Sequence, residues 1–134
     1  MPPKHELTRA WLKKARNDLM TGERALEGQP PVADTACFHA QQAVEKALKA
    51  LLVVREIEPP RTHHIGFLLK RCGPIDEHLA GMSEDLKWLT SFAVDVRYAD
   101  VGDEPTVEHA TKALSLARRA VETISANIPE EARP

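Results

Sequence analysis

Glu45 and Gln41 are polar residues in a place where a helix ordinarily puts apolar ones. They lie in the stretch Ala36-Cys-Phe-His-Ala-Gln-Gln-Ala-Val-Glu-Lys-Ala-Leu-Lys-Ala-Leu-Leu52. Its apolar positions Cys37, Ala40, Val44, Ala47 and Leu51 recur at three and four, which marks one helical face. A second stripe beside it reads Gln41, Glu45, Leu48, Leu52. The amide and the carboxylate therefore sit at the edge of the buried face and need partners from elsewhere in the chain. Arg97, with Tyr98 beside it, is one group that could come back to this edge: its guanidinium either pairs with Glu45 or Asp18 or is left to bind another anion. One geometry serves both, because an arginine held by a carboxylate keeps donors for a second anion.

The other reactive types are weaker signals. His63 and His64 are adjacent, so their rings diverge, and no Cys or carboxylate nearby has a ligand's spacing. The expectation is no metal, with His63 hydrogen-bonded at the start of a short helix and His64 solvated. His39 faces either a cleft or water. Arg71 and His78 flank Gly73-Pro74, at the wrong end of the bundle, and are not expected to act as a pair. Lys46 and Lys49 are assigned to a wet face, as are Lys13, Lys14, Arg16, Arg118 and Arg119. Should several of these cations converge, they would form an anion-binding rim. Trp11 and Trp88 are expected in the core.

The elements that position these groups all read as helices. Leu12, Ala15, Leu19, Gly22 and Leu26 mark a helix over about 6–27, ended at Gly28 and Pro30-Pro31. The second helix runs from Pro31 to about Val54. A short one carries Ile65, Leu68, Leu69 and Cys72 and closes at Gly73-Pro74. Ser83 is placed to cap a fourth, marked by Leu86, Leu89, Ala93 and Val96. Pro105 opens the last, whose stripe is Val107, Ala110, Leu114, Ala117, Val121, Ile124 and Ile128. No alternating β-branched run or hairpin dipeptide is present. The expectation is all-α: an up-and-down four-helix bundle with an additional short helix, one domain over 1–134 with its core at about 6–128.

Bulk composition narrows the class. The chain has 134 residues, 43% of them hydrophobic, and a formal net charge of −2. A core is affordable, and the charge argues against a general nucleic-acid coat or a membrane-surface protein. Two cysteines do not make a disulfide framework, no run reaches the roughly 18 apolar residues of a spanning helix, and the N-terminus has no apolar leader segment. The expected setting is the cytoplasm, without a membrane. The Ala- and Leu-rich seams suit close helix packing and a homodimer.

Phe38-His39-Ala40-Gln41-Gln42-Ala43, running into Glu45-Lys46-Ala47-Leu48-Lys49-Ala50-Leu51-Leu52, resembles the second helix of the HEPN family (higher eukaryotes and prokaryotes nucleotide-binding). Ala15-Arg16-Asn17-Asp18-Leu19 resembles its first helix. Thr62-His63-His64-Ile65 resembles its Thr-His-Asp-Leu, and Arg97-Tyr98-Ala99-Asp100 its Arg-Tyr-Pro-Asp. The match spans about 8–126. It implies a helical bundle, usually a homodimer, of bacterial or archaeal origin and often made beside a minimal nucleotidyltransferase as a toxin–antitoxin pair. Some members are metal-independent ribonucleases with an Arg, four to six residues, then a His. Here Arg97 is in place but no histidine follows at that spacing, and His109 is too far along. In related toxins a tyrosine near this motif receives the nucleotide, and Tyr98 is this chain's only tyrosine.

The resemblance therefore favours a dimeric binding and regulatory module. The alternatives are an endoribonuclease with an incomplete Arg-His motif and a nucleotide-binding sensor. Arg97 is the catalytic candidate. Arg97, Tyr98, Gln41, Glu45 and His63 are the ligand-binding candidates, for RNA or a nucleotide, with no metal and no cofactor expected.

Overall fold

Two long helices, α1 (Pro3–Glu27) and α2 (Ala33–Val54), run antiparallel in the computed structural model, which describes residues 3–93 and 104–134. Their pairing can be followed end to end. Lys4 reaches Glu56 at 3.4 Å, Lys49 lies over the Trp11 ring, and the backbone at Gly22 meets Ala36. Helix α6 (Val107–Ala126) closes the bundle antiparallel to α1, with Leu114 beside Gly22 and the Glu131 carbonyl beside Arg9. A Cβ on Gly22 would stand 2.7 Å from Leu114 Cδ2 and 3.3 Å from the Ala36 carbonyl oxygen, so glycine permits this crossing.

Helix α2 is the centre of the molecule. Fourteen of its residues are buried, from Ala36 and Cys37 through Ala40, Gln41, Ala43 and Val44 to Val53. Five of them are alanines, which lets neighbours close in on several sides. That crowding overturns one expectation: Lys49 is buried and Lys46 half-buried, so neither belongs to a solvated face. The lysine stems pack along α2 while their ammonium groups find acids.

The fourth side is built from short pieces. Helix α3 (Ile65–Arg71) is followed by α4 (Glu77–Gly81), which the sequence reading did not anticipate. Helix α5 (Ser83–Leu89) then passes into a 3₁₀ turn at Thr90–Phe92. Ser83 is the first residue of α5, not its cap; Met82 precedes it in a helical conformation and gives no side-chain cap. Asp76 caps α4 by accepting from Leu79 N–H at 2.8 Å, and it also accepts from Asn127 Nδ2 at 2.7 Å, tying α4 to the end of α6. The last helix begins at Val107, two residues after Pro105, under a reciprocal cap of Thr106 and His109. The Arg55 guanidinium donates to the carbonyls of Cys72 and Pro74, fixing the turn after α3, where Gly73 takes a φ of +76°.

The all-α architecture matches the expectation, and no strand occurs among the described residues. No described helix is long and apolar enough to cross a membrane. The thiols of Cys37 and Cys72 are buried and unpaired, and burial pushes them up to about 12 and about 11, so both remain protonated hydrophobes. Trp11 and Trp88, expected in the core, are half-buried and pack against it, with the ammonium groups of Lys49 and Lys112 over their rings.

Candidate functional site

Along one edge of α2 the chain assembles two polar clusters of the same design. The first is centred on Glu45, whose side chain is only 4% exposed. Lys49, one turn on, donates to Oε2 at 2.8 Å. Oε1 accepts from Gln41 at 3.2 Å and Gln42 at 3.3 Å, and the Nδ1 of His63 lies 2.8 Å away. Gln41 also donates to the His63 carbonyl at 2.9 Å, and Gln42 donates to the Gln41 side-chain oxygen at 2.7 Å. The second cluster is centred on Asp18 of α1. Lys46 donates to its Oδ2 at 2.7 Å, and Nδ1 of His39 lies 2.8 Å from its Oδ1.

Each buried acid thus holds one lysine and one imidazole. The lysine neutralises the carboxylate, and the imidazole is oriented by it. In a neutral imidazole, Nδ1–H is the donor to the acid and Nε2 keeps its lone pair facing away. The His63 side chain is 57% exposed, so that outer nitrogen is open to solvent; the His39 side chain is 25% exposed. Burial alone would raise the Glu45 pKa. The hydrogen bonds from Lys49, His63 and Gln41, with the Lys49 charge, outweigh it and hold the group below its ordinary 4.5.

The structure brings together three of the five sequence candidates: Gln41, Glu45 and His63. Gln41 and Glu45 are buried, so their influence on any ligand runs through His63 and Gln42. The cap expected of His63 is supplied by His64, which is exposed as expected. His64 caps α3, its ring accepting from the Phe67 amide at 3.3 Å, while the His63 ring turns back to Glu45. Arg97 and Tyr98 lie outside the described residues, as do Val96, Ala99 and Asp100. Asp18 meets Lys46 and His39, two residues that sequence reasoning left on a wet face or unassigned. Spacing carried the signal: His39 and Lys46 are seven apart, two turns on one side of α2.

His109 is engaged at the N-terminus of α6, where its Nδ1 accepts from the Thr106 amide at 3.2 Å. Arg71 and His78 are exposed on α3 and α4. Among the described residues no group of three or more His, Cys, Asp or Glu is arranged to hold a metal ion.

A sequence model of the HEPN domain matches residues 8–128. The fold is similar to the crystal structure of TT1696 from Thermus thermophilus, with a TM-score of 0.77 and 28% identity over 92% of this chain and 99% of that one. It is also similar to ST0689, described as an archaeal HEPN homologue, with a TM-score of 0.72 and 28% identity over 91% of this chain and 98% of that one. No curated protein matches.

Proposed function

The chain belongs to the HEPN domain family, and from that premise we propose that it is a dimeric binding and regulatory module of a toxin–antitoxin or related nucleotide-handling system. Its proposed partner is a minimal nucleotidyltransferase, in the cytoplasm of a bacterium or archaeon. The observation behind this reading is the saturation of Glu45. With Lys49, His63, Gln41 and Gln42 all on one buried carboxylate, the α2 edge is a fixed surface. It presents an imidazole and an amide at defined positions, at little ordering cost on binding. A nucleotide or RNA is the ligand proposed for the module, with Arg97 and Tyr98 as its phosphate-binding candidates.

The test is to mix the purified chain with a minimal nucleotidyltransferase from the same genome and measure the mass of the complex by light scattering. A stable complex containing two copies of this chain is expected. Separate elution of the two proteins, with this chain monomeric at micromolar concentration, would overturn the proposal.

One observation favours a second reading, a metal-independent endoribonuclease. The Glu45–His63 pair presents an oriented imidazole with its outer nitrogen toward solvent, which is the arrangement of a proton-transfer group. Under the leading reading the isolated protein does not cleave RNA in the presence of a chelator. Cleavage that is lost in both Arg97→Ala and His63→Ala would establish the second reading instead.

A further inference from the structure

Four imidazoles among the described residues are held through Nδ1, and they fall into two classes. His39 and His63 face the carboxylates of Asp18 and Glu45. There Nδ1–H donates, and it still donates when the ring gains a second proton. His64 and His109 face backbone amides instead. Nδ1 of His64 accepts from the Phe67 N–H at 3.3 Å at the start of α3. Nδ1 of His109 accepts from the Thr106 N–H at 3.2 Å and completes the reciprocal cap of α6. An imidazolium has no lone pair for either bond. Both rings are exposed, so protons reach them freely.

The same two rings stand at the seams that hold α5. On one side Lys87 of α5 lies along Gly66 of α3. A Cβ on Gly66 would stand 3.3 Å from the Lys87 stem and 3.4 Å from His64 Cε1. On the other side the Trp88 ring of α5 meets the His109 ring edge-on, with 6.3 Å between centroids. The Lys112 ammonium lies 4.6 Å from the centre of that indole. Each seam therefore already holds a cation. Lys87 is paired with Glu84, whose side chain is open to solvent, and Glu108 is the acid in the first turn of α6, also exposed. The histidine–carboxylate pairs among the described residues are those of His39 and His63, so neither His64 nor His109 has an acid to hold its charge. Protonation of either ring thus removes a cap, adds charge at the positive end of a helix and places it near a lysine.

We propose that His64 and His109 form a proton-operated release for α5. As the two rings gain charge, the first turns of α3 and α6 come loose together and α5 loosens between them. The polar edge of α2 keeps its bonds, because its imidazoles donate in both states. The Ile65 N–H bond to Thr90 Oγ1, 3.1 Å, contains no titrating group and keeps α5 tethered. The working range is about pH 8 to 5, where histidine is the side chain that ordinarily changes charge. This device needs neither RNA nor a partner protein, so it stands or falls apart from the function proposed above.

Amide NMR of the full chain, titrated over that range, reads both bonds directly. The Phe67 and Thr106 amide protons should shift upfield as the His64 and His109 ring signals titrate, and the Trp88 indole signal should move with them. The amides of Ala40 to Leu52 should stay protected throughout. His64→Asn and His109→Gln each keep an uncharged acceptor at the cap. The double variant should therefore show no such shifts, and should lose less melting temperature than the unaltered chain over the same range. Phe67 and Thr106 amides that stay fixed while the two rings titrate would overturn the proposal, and that result needs no variant. So would an unchanged response in the double variant, which would assign it to another group such as His5 or His78. Loss of protection along α2 at the same pH would also refute it, since the event would then be global unfolding.

Discussion

At the scale of single residues, Glu45 and Lys49 depend on each other. Removing the carboxylate would leave an ammonium group buried with no counter-charge. Glu45→Ala is expected to cost about 3 kcal/mol, read as a lower urea midpoint at unchanged slope. Adding Lys49→Met should recover most of that loss, because the stranded charge is then gone. The same carboxylate sets an acid limit. Its folded pKa lies below 4.5, so its contribution is complete above that pH and declines as pH falls through the folded value. Asp76, lowered by the Asn127 and Leu79 hydrogen bonds, acts in the same direction. Stability should therefore fall below about pH 4.5, and more shallowly in Glu45→Gln, as urea titrations at stepped pH would show. The sequence revealed the need of Gln41 and Glu45 for partners, because their positions beside an apolar stripe say so. It did not reveal which partners come. Lysine at positions 46 and 49 looks solvated by type, and only the burial of α2 on several sides contradicts that. The roles of His63 and His64 depend on where a loop turns, which periodicity does not encode.

At the scale of elements, α1, α2 and α6 were legible because each spans at least 20 residues and repeats its apolar stripe over several turns. Helix α4 has five residues, barely more than one turn, so no period exists to be read. Ser83 looks like a cap by type, but α4 runs into α5 with only Met82 between them. Two predictions belong here. Thr106→Ala removes the acceptor for the His109 amide and should cost about 1 kcal/mol, seen as a drop in melting temperature. At Gly22 two effects compete. Alanine gains about 1 kcal/mol of helix propensity. Its Cβ, however, must displace Leu114 and crowd the Ala36 carbonyl, which costs a similar amount. Gly22→Ala should thus be near neutral. Gly22→Val, with two further methyl groups and a poorer helix propensity, should lose about 2–3 kcal/mol. Thermal melts of the pair separate the two terms.

At the scale of the whole molecule, α2 is enclosed by α1, α3, α5 and α6, and the polar edge with His39, Gln42, Lys46 and His63 is one side on which it meets water. That enclosure has a kinetic consequence. The amides between Ala40 and Leu52 have no small motion that would bare them to solvent, because lifting any one neighbour leaves the others in place. Their deuterium uptake should therefore be slowest in the chain and follow global unfolding alone, while α4 and the 3₁₀ turn at Thr90–Phe92 exchange through brief local openings.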